Sequence, residues 1–353
     1  MKICLLVFVS IFLFTGCSLW NQDDLLEVND VFARQAEVMA IELEIPWNIA
    51  KDGESIYISQ RPGSIIKVDE ATGGKITQQI QVTKDIHHEG EGGLLGFLLA
   101  PDFLQSKQAY AYHTYKEKEH IFNRIILLKL RNNEWIEQNV ILDRIPGGRI
   151  HNGGRMKVGP DRKLYVTAGD AGNPDSAQDI HSLGGKILRL NVDGSIPSDN
   201  PFQGSYVYSY GHRNPQGLAW DEKERLFSSE HGQSAHDEIN IIEAGMNYGW
   251  PIIEGDQKAP NMKTPFYHTG NTTWAPSGIE IKNNLLYVAT LRGESLKVLN
   301  VTNKSVETVI EGVGRLRDVL LDENRLYTIT NNRDGRGNPR EEDDQLLRLS
   351  LGR

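Results

Sequence analysis

The stretch RIHNGGRMKVGPDRKLYVTAGD, residues 149–170, brings together residue types that can do chemistry. His151 stands just before Gly153 and Gly154, where the backbone can bend sharply and leave an imidazole exposed. Residues 164–168 alternate like a half-buried strand, and Asp170 follows at that strand's exit. From there a carboxylate can reach back to the histidine. A histidine oriented by a carboxylate can act as a general base on a hydroxyl. The bland alternative is that both residues only build turns, a role that Asp and Asn fill routinely.

Other segments carry further candidates. GEGGLLG, residues 90–96, sets Glu91 among glycines. It lacks the Lys-Ser/Thr of a phosphate loop, which leaves two readings: close approach of backbone to a ligand, or a tight turn into a strand. In SYGHRNPQGLAW, Arg213 sits beside Asn214 and is followed by Pro215. A guanidinium fork next to an amide suits a planar ligand bearing carboxylates. Arg315 and Arg317 bracket one residue, so a strand would point both to one face. That arrangement needs an anion or acidic side chains between them. Residues 230–251, EHGQSAHDEINIIEAGMNYGWP, offer Glu230, Asp237, Glu238 and Tyr248 among glycine turns. Hard oxygen donors in turns suit calcium. The spacing is not that of an EF-hand, and the lack of a Cys cluster or HExxH argues against zinc.

These residues need a scaffold, and the chain supplies a repeat. Within 353 residues, an apolar segment recurs with an Asp/Gly turn, a strand rich in Tyr, Val and Ile, a polar loop and a second strand. Copies begin near residues 46, 94, 156, 217, 277 and 317, which makes six. A unit of this kind cannot bury both faces of its own small sheet, so copies must pack on each other around an axis. The expectation is an all-β fold, a six-bladed β-propeller of four-stranded antiparallel blades. No Pro-rich or low-complexity linker divides residues 41–353, so one domain is expected there. Ligands are expected where loops converge at one end of the axis. Net charge is −9 and no basic run occurs, which argues against a nucleic-acid partner.

The N-terminus differs in kind. Lys2 precedes an apolar run, residues 3–14, and FTGC closes it at Cys17. The run is too short for a mature membrane helix and resembles a lipoprotein signal ending at a lipidated cysteine. The expected organisation is a signal peptide over 1–16, a polar tether over 17–40 and the propeller beyond. Cys4 and Cys17 are the only cysteines, so a chain processed at Cys17 keeps no free thiol and no disulfide. The chain is then expected outside the cytoplasm, held to the membrane by lipid.

Taken in order, the motifs PWN, GEGGLLG, HNGGR, GPDRKLYVTAGD, GGKILRLNVDG, YGHRNPQGLAWD, EHG, DEIN, NYGWP and RLRD resemble the quinone-dependent aldose sugar dehydrogenases of the glucose/sorbosone dehydrogenase family, over about residues 45–351. The resemblance implies a six-bladed propeller that holds pyrroloquinoline quinone (PQQ) with calcium. It also implies oxidation of a sugar at its anomeric hydroxyl, with electrons passed to an external acceptor. His151 matches the family's general base and Asp170 its supporting carboxylate. Arg213, Asn214, Arg315 and Arg317 match quinone contacts. Glu91 stands where some members have Gln, and Arg292 where some have a quinone-contacting Lys. Gly232 and Gln233 match the Gly-Pro pair whose carbonyls hold the quinone's calcium, with Gln in place of Pro. Glu238 and Tyr248 match a second, structural calcium site. Ile150 stands where some glucose-oxidising members have Asp. Two other readings of the chain are a non-catalytic propeller used for binding and a lactonase-type hydrolase. The hydrolase would need a central ring of carboxylates around a metal.

Overall fold

A computed structural model describes residues 36–351, so Cys17 and the expected signal peptide lie outside the described residues. The regular structure of the described residues is almost entirely strand. The first part contains β1 (Glu37–Ala40), β2 (Pro46–Asp52), β3 (Ser55–Gln60), β4 (Ser64–Asp69), β5 (Lys75–Gln81), β6 (Leu94–Leu99), β7 (Gln108–Glu117), β8 (His120–Arg131) and β9 (Glu134–Pro146). The middle contains β10 (Met156–Val158), β11 (Leu164–Ala168), β12 (Lys186–Leu190), β13 (Val207–Tyr210), β14 (Pro215–Trp220), β15 (Leu226–Glu230), β16 (Glu238–Ile242) and β17 (Tyr267–His268). The last part contains β18 (Pro276–Lys282), β19 (Leu285–Thr290), β20 (Ser295–Asn300), β21 (Val306–Glu311), β22 (Leu316–Asp322), β23 (Arg325–Thr330) and β24 (Leu346–Ser350). Among the described residues no helix is long and apolar enough to cross a membrane.

The strands form five sheets. Four have four strands each: β10 to β13, β14 to β17, β18 to β21, and β22 to β24 completed by β1. The fifth has eight, in the order β2-β3-β4-β5-β9-β8-β7-β6. The expected six separate sheets are therefore not what the hydrogen bonding gives. Two antiparallel four-strand runs fuse where β5 meets β9 in parallel, Ile80 opposite Trp135 and Gln81 opposite Ile136. The long β9 reaches past its own hairpin, and the Trp135 indole N–H donates to Gln78 Oε1 at 2.9 Å on β5. The leading strands β2, β6, β10, β14, β18 and β22 touch one another in a closed ring.

A second correction concerns the tether. Residues 37–40, expected to belong to it, form the outer strand β1, which pairs antiparallel with β24. The N-terminal end of the described chain thus covers the edge of the C-terminal sheet, which would otherwise expose unpaired N–H and C=O groups.

A third concerns β11. Its alternation suggested a half-buried strand, yet all five residues are buried. Leu164, Val166 and Ala168 pack against Leu95 and Tyr112 of the preceding sheet. Tyr165 faces the other way, onto Leu218 and Tyr248 of the following one. Each sheet is sandwiched between two neighbours, so strands of β-branched and aromatic residues are covered on both faces. This double burial fixes β11 and, with it, the position of Asp170 just beyond its end.

Candidate active site

His151 sits in the loop before β10 with φ 55°, held on both sides. Its main-chain N–H donates to Glu91 Oε2 at 2.8 Å, and its carbonyl accepts from Ala171 N at 3.1 Å. Gly90 lies against Arg149 O, and Gly169 lies against His151 O, each closely enough that a Cβ would overlap the carbonyl. The glycines of the GEGG and TAGD motifs thus serve the approach of backbone to backbone.

The His151 ring meets Asp170 as expected, with Nδ1 2.7 Å from Asp170 Oδ1. Asp170 is fully buried. Its Oδ1 also accepts from Gly172 N at 2.8 Å, and its Oδ2 accepts from the Trp250 indole N–H at 2.9 Å. With both carboxylate oxygens accepting, the proton between the two side chains belongs to Nδ1. The neutral ring then carries a lone pair on Nε2, which makes no hydrogen bond to the described protein. That atom can take a proton from a hydroxyl.

Beside this pair lies a cavity lined by Arg61, Glu91, Asn214, Gln216, His231, Arg317 and Arg336, among others. Burial opposes ionisation of Glu91, but the His151 N–H and the Arg336 guanidinium outweigh it and hold the carboxyl at about 2. Arg336 Nη1 donates to Glu91 Oε1 at 2.8 Å. Burial depresses Arg61 and Arg213. Burial lowers Arg317 to about 9, with Arg315 and Arg61 adding like-charge repulsion. His231, buried and without a partner at Nε2, is held down to about 4 chiefly by burial. The Nε atoms of Arg213 and Arg315 are also buried without partners. A pocket lined by Arg61, Arg317 and Arg336, with the unpartnered His231 Nε2 in its wall, suits a planar polyanion.

The other expected residues divide. Arg315 and Arg317 do share a face, and Asp334 lies between them, 2.8 Å from Arg315 Nη2 and 3.9 Å from Arg317 Nη2. Arg317 also reaches Asn331 and Gln216. Asn214 lines the cavity, and its Oδ1 accepts from Gly153 N at 3.2 Å and Gln216 Nε2 at 3.0 Å. Arg213 lies over the Trp250 ring, 5.3 Å from its centroid. Arg292 is exposed, makes no side-chain hydrogen bond to the described protein and does not line the cavity. Of the expected quinone contacts, Glu91, Asn214 and Arg317 line the cavity, and Arg213, Arg292 and Arg315 do not.

The oxygen donors divide as well. Gly232 and Gln233 follow His231, and neither carbonyl accepts a hydrogen bond among the described residues. Asp237 is committed to pinning this loop, accepting from Gly232 N at 2.9 Å and Trp274 N at 2.6 Å. Glu230 accepts from His212 Nδ1 at 2.9 Å and from the Arg213 main-chain N–H. Glu238, opposite Glu230 across two strands, is pushed up to about 8 by burial and by the Glu230 charge. The Tyr248 hydroxyl is spent on Ile241 O at 2.6 Å and Glu243 N at 2.8 Å, so only its carbonyl can serve a cation. Among the described residues no three His, Cys, Asp or Glu side chains converge on one point.

Ser209, His212 and Glu230 have the spacing of a hydrolytic triad, Oγ to Nε2 at 2.8 Å and Nδ1 to Oε2 at 2.9 Å. Ser209 and His212 have no exposed surface, so this trio holds the fold together and cannot meet a substrate. Sequence reading missed Arg61, Arg336, Asp334, His231 and Trp250. Two of them, His231 in EHG and Trp250 in NYGWP, lay within the segment 230–251 already singled out.

The model described as glucose/sorbosone dehydrogenase matches residues 43–348. The chain belongs to the glucose/sorbosone dehydrogenase family. Aldose sugar dehydrogenase of Streptomyces coelicolor, solved in its PQQ-bound form, superposes with a TM-score of 0.84 at 39% identity. That match covers 90% of this chain and 98% of the Streptomyces one. Quinoprotein glucose dehydrogenase B of Acinetobacter calcoaceticus is 38% identical over 233 residues, 57% of this chain but only 48% of that protein. Aldose sugar dehydrogenase of Escherichia coli is 31% identical, over 65% of each chain. A solved relative thus covers nine-tenths of this chain, while the chain spans about half the length of the Acinetobacter enzyme.

Proposed function

We propose that this chain is a PQQ-dependent aldose sugar dehydrogenase. In this reading it oxidises the anomeric hydroxyl of a sugar to the lactone, passes the hydride to the quinone and hands the electrons to an external acceptor. The observation that carries the reading is the His151–Asp170 pair, its Nε2 unengaged, beside a pocket of buried arginines. We read the ring of six leading strands as the axis of a six-bladed propeller, with the eight-stranded sheet as two blades joined at their edges.

The residues fit the quinone. Arg61, Arg213 and Arg317, with His231 and Asn214, would hold a planar tricarboxylate, and the partnerless donors on Arg213 and His231 would gain acceptors. The Gly232 and Gln233 carbonyls would hold its calcium, and Glu238 with the Tyr248 carbonyl a second calcium. When bound, the quinone supplies the hydride acceptor and calcium the Lewis acid that polarises it. The chain supplies the proton chemistry. His151 Nε2 takes the hydroxyl proton as the C–H bond breaks. Asp170 keeps hydrogen on Nδ1 and stabilises the imidazolium that forms. Glu91 and Gly169 fix the main chain on which the ring is mounted. We further propose that the protein is exported and held at the extracytoplasmic face of the membrane by lipid on Cys17.

The test is a visible absorption spectrum of calcium-reconstituted protein with added PQQ, taken before and after an aldose. A bound-quinone spectrum that bleaches on adding the sugar supports the reading. A quinone that binds but is untouched by every aldose offered contradicts it.

A further inference from the structure

The His151–Asp170 pair has a third member, from the connection between β16 and β17. Asp170 is fully buried, and three N–H groups reach its carboxylate. Two of them, from His151 and Gly172, share Oδ1. Oδ2 has a single protein donor, the indole N–H of Trp250 at 2.9 Å. Take that donor away and a buried carboxylate oxygen loses its only hydrogen bond. The group would then swivel or take up a proton, and in either case Nδ1–H of His151 loses its fixed acceptor. The same indole faces Arg213, whose guanidinium lies 5.3 Å from the ring centroid. Trp250 is itself held by its backbone. Its N–H donates to Gly211 O at 2.9 Å, and its carbonyl accepts from Gln178 Nε2 at 2.6 Å. The ring is half-buried, so its N–H is placed against the carboxylate by these anchors.

We propose that Trp250 is a positioning residue for the reaction: its N–H sets Asp170 for His151, and its ring face sets Arg213 for the cofactor. The inference rests on the general-base reading of His151. It separates two functions within one side chain, edge and face, and so predicts that two substitutions act differently. Trp250→Phe keeps an aromatic face and removes the N–H. It should lower kcat about tenfold or more, the cost of a lost hydrogen bond to a buried charge, while KM and the quinone Kd stay within about twofold. Trp250→Ala should lower kcat as much and also weaken quinone binding about fivefold or more, because the face under Arg213 is lost.

Three measurements decide it. Steady-state kinetics separate kcat from KM in the two variants. Absorbance titration with PQQ and calcium gives the quinone Kd without any turnover. Nitrogen-15 spectra of the unloaded wild-type protein and of Asp170→Asn report the Trp250 indole N–H directly, and need no Trp250 variant to fold. The expected result is a large shift of that indole resonance in Asp170→Asn, with the edge and face effects divided as above. A Trp250→Phe enzyme with wild-type kcat overturns the proposal, as does an indole resonance indifferent to Asp170→Asn. His151→Ala is run beside them. If it turns over normally, the base reading itself has failed; if it is inactive while Trp250→Phe is normal, only the role of Trp250 has failed.

Discussion

Arg317→Ala tests the cofactor pocket at its most strained point. Arg317 is 7% exposed and donates to Asn331 Oδ1 at 3.1 Å and Gln216 Oε1 at 3.2 Å, with Asp334 at 3.9 Å. Burial, reinforced by Arg315 and Arg61, lowers it to about 9. It stays cationic at neutral pH, but the depression corresponds to an unfavourable environment of roughly 5 kcal/mol. The sign follows from proton linkage. The penalty is fully present below about pH 9 and fades as pH rises above it, because the unfolded chain holds the proton more tightly. An anionic ligand offsets part of this penalty, and a charge-assisted hydrogen bond is worth about 1.5–3 kcal/mol. Removing the guanidinium should therefore weaken quinone binding by roughly 10- to 150-fold. The unloaded fold should change less. It sheds a buried charge, while Asn331 Oδ1 and Gln216 Oε1 each lose a donor, and these effects oppose each other. Absorbance titration of quinone at pH 7–8 and paired melts, loaded and unloaded, give both quantities. An unchanged Kd would refute the reasoning. So would a loss of affinity matched by an equal fall in unloaded stability, since that would make Arg317 a structural residue.

Calcium should raise the melting temperature and a chelator reverse the rise, with about 2.7 kcal/mol of stabilisation at 100 times its Kd; Glu238→Gln should abolish most of that response in differential scanning calorimetry. Lys186 donates to three carbonyls, Ser176 O, Ala177 O and Gly184 O, and burial brings it to about 7. Its depressed value makes it a destabilising charge below about pH 7 whose cost fades towards pH 10.5, so Lys186→Met should flatten the rise of stability over that window in denaturant titrations. Cys17→Ser should release the exported protein from membranes or block its processing, measured by fractionation and by the mature N-terminal residue; wild-type protein that is already wholly soluble, with another N-terminus, contradicts the lipid anchor.

Local chemistry made some of the site readable and long-range packing hid the rest. His151 and Asp170 lie 19 residues apart around one hairpin, so turn glycines and strand alternation sufficed to pair them. Arg315 precedes β22 and Arg317 sits at an irregularity near its start, yet the anion demanded between them exists as Asp334, contributed by the loop after β23. Trp250 is 80 residues from Asp170, and Arg336 is 245 from Glu91. No local pattern predicts contacts that arise only when distant sheets close around an axis. The same limit explains the fold. The repeat announced the sheets, but the β5–β9 edge pairing and the return of β1 to β24 depend on how the ring closes. Arg292, matched only by resemblance, is exposed and outside the cavity lining.

In the proposed reaction His151 is the base of a quinone-linked sugar oxidation. The most direct measurement is single-turnover reduction of bound quinone by an aldose, followed by absorbance in wild type and His151→Ala, with quinone and calcium binding checked separately. The account predicts a loss of about 10²- to 10⁴-fold in the reduction rate with both cofactors bound near normally. A His151→Ala protein that reduces its quinone at the wild-type rate would contradict it and leave the histidine as a turn residue only.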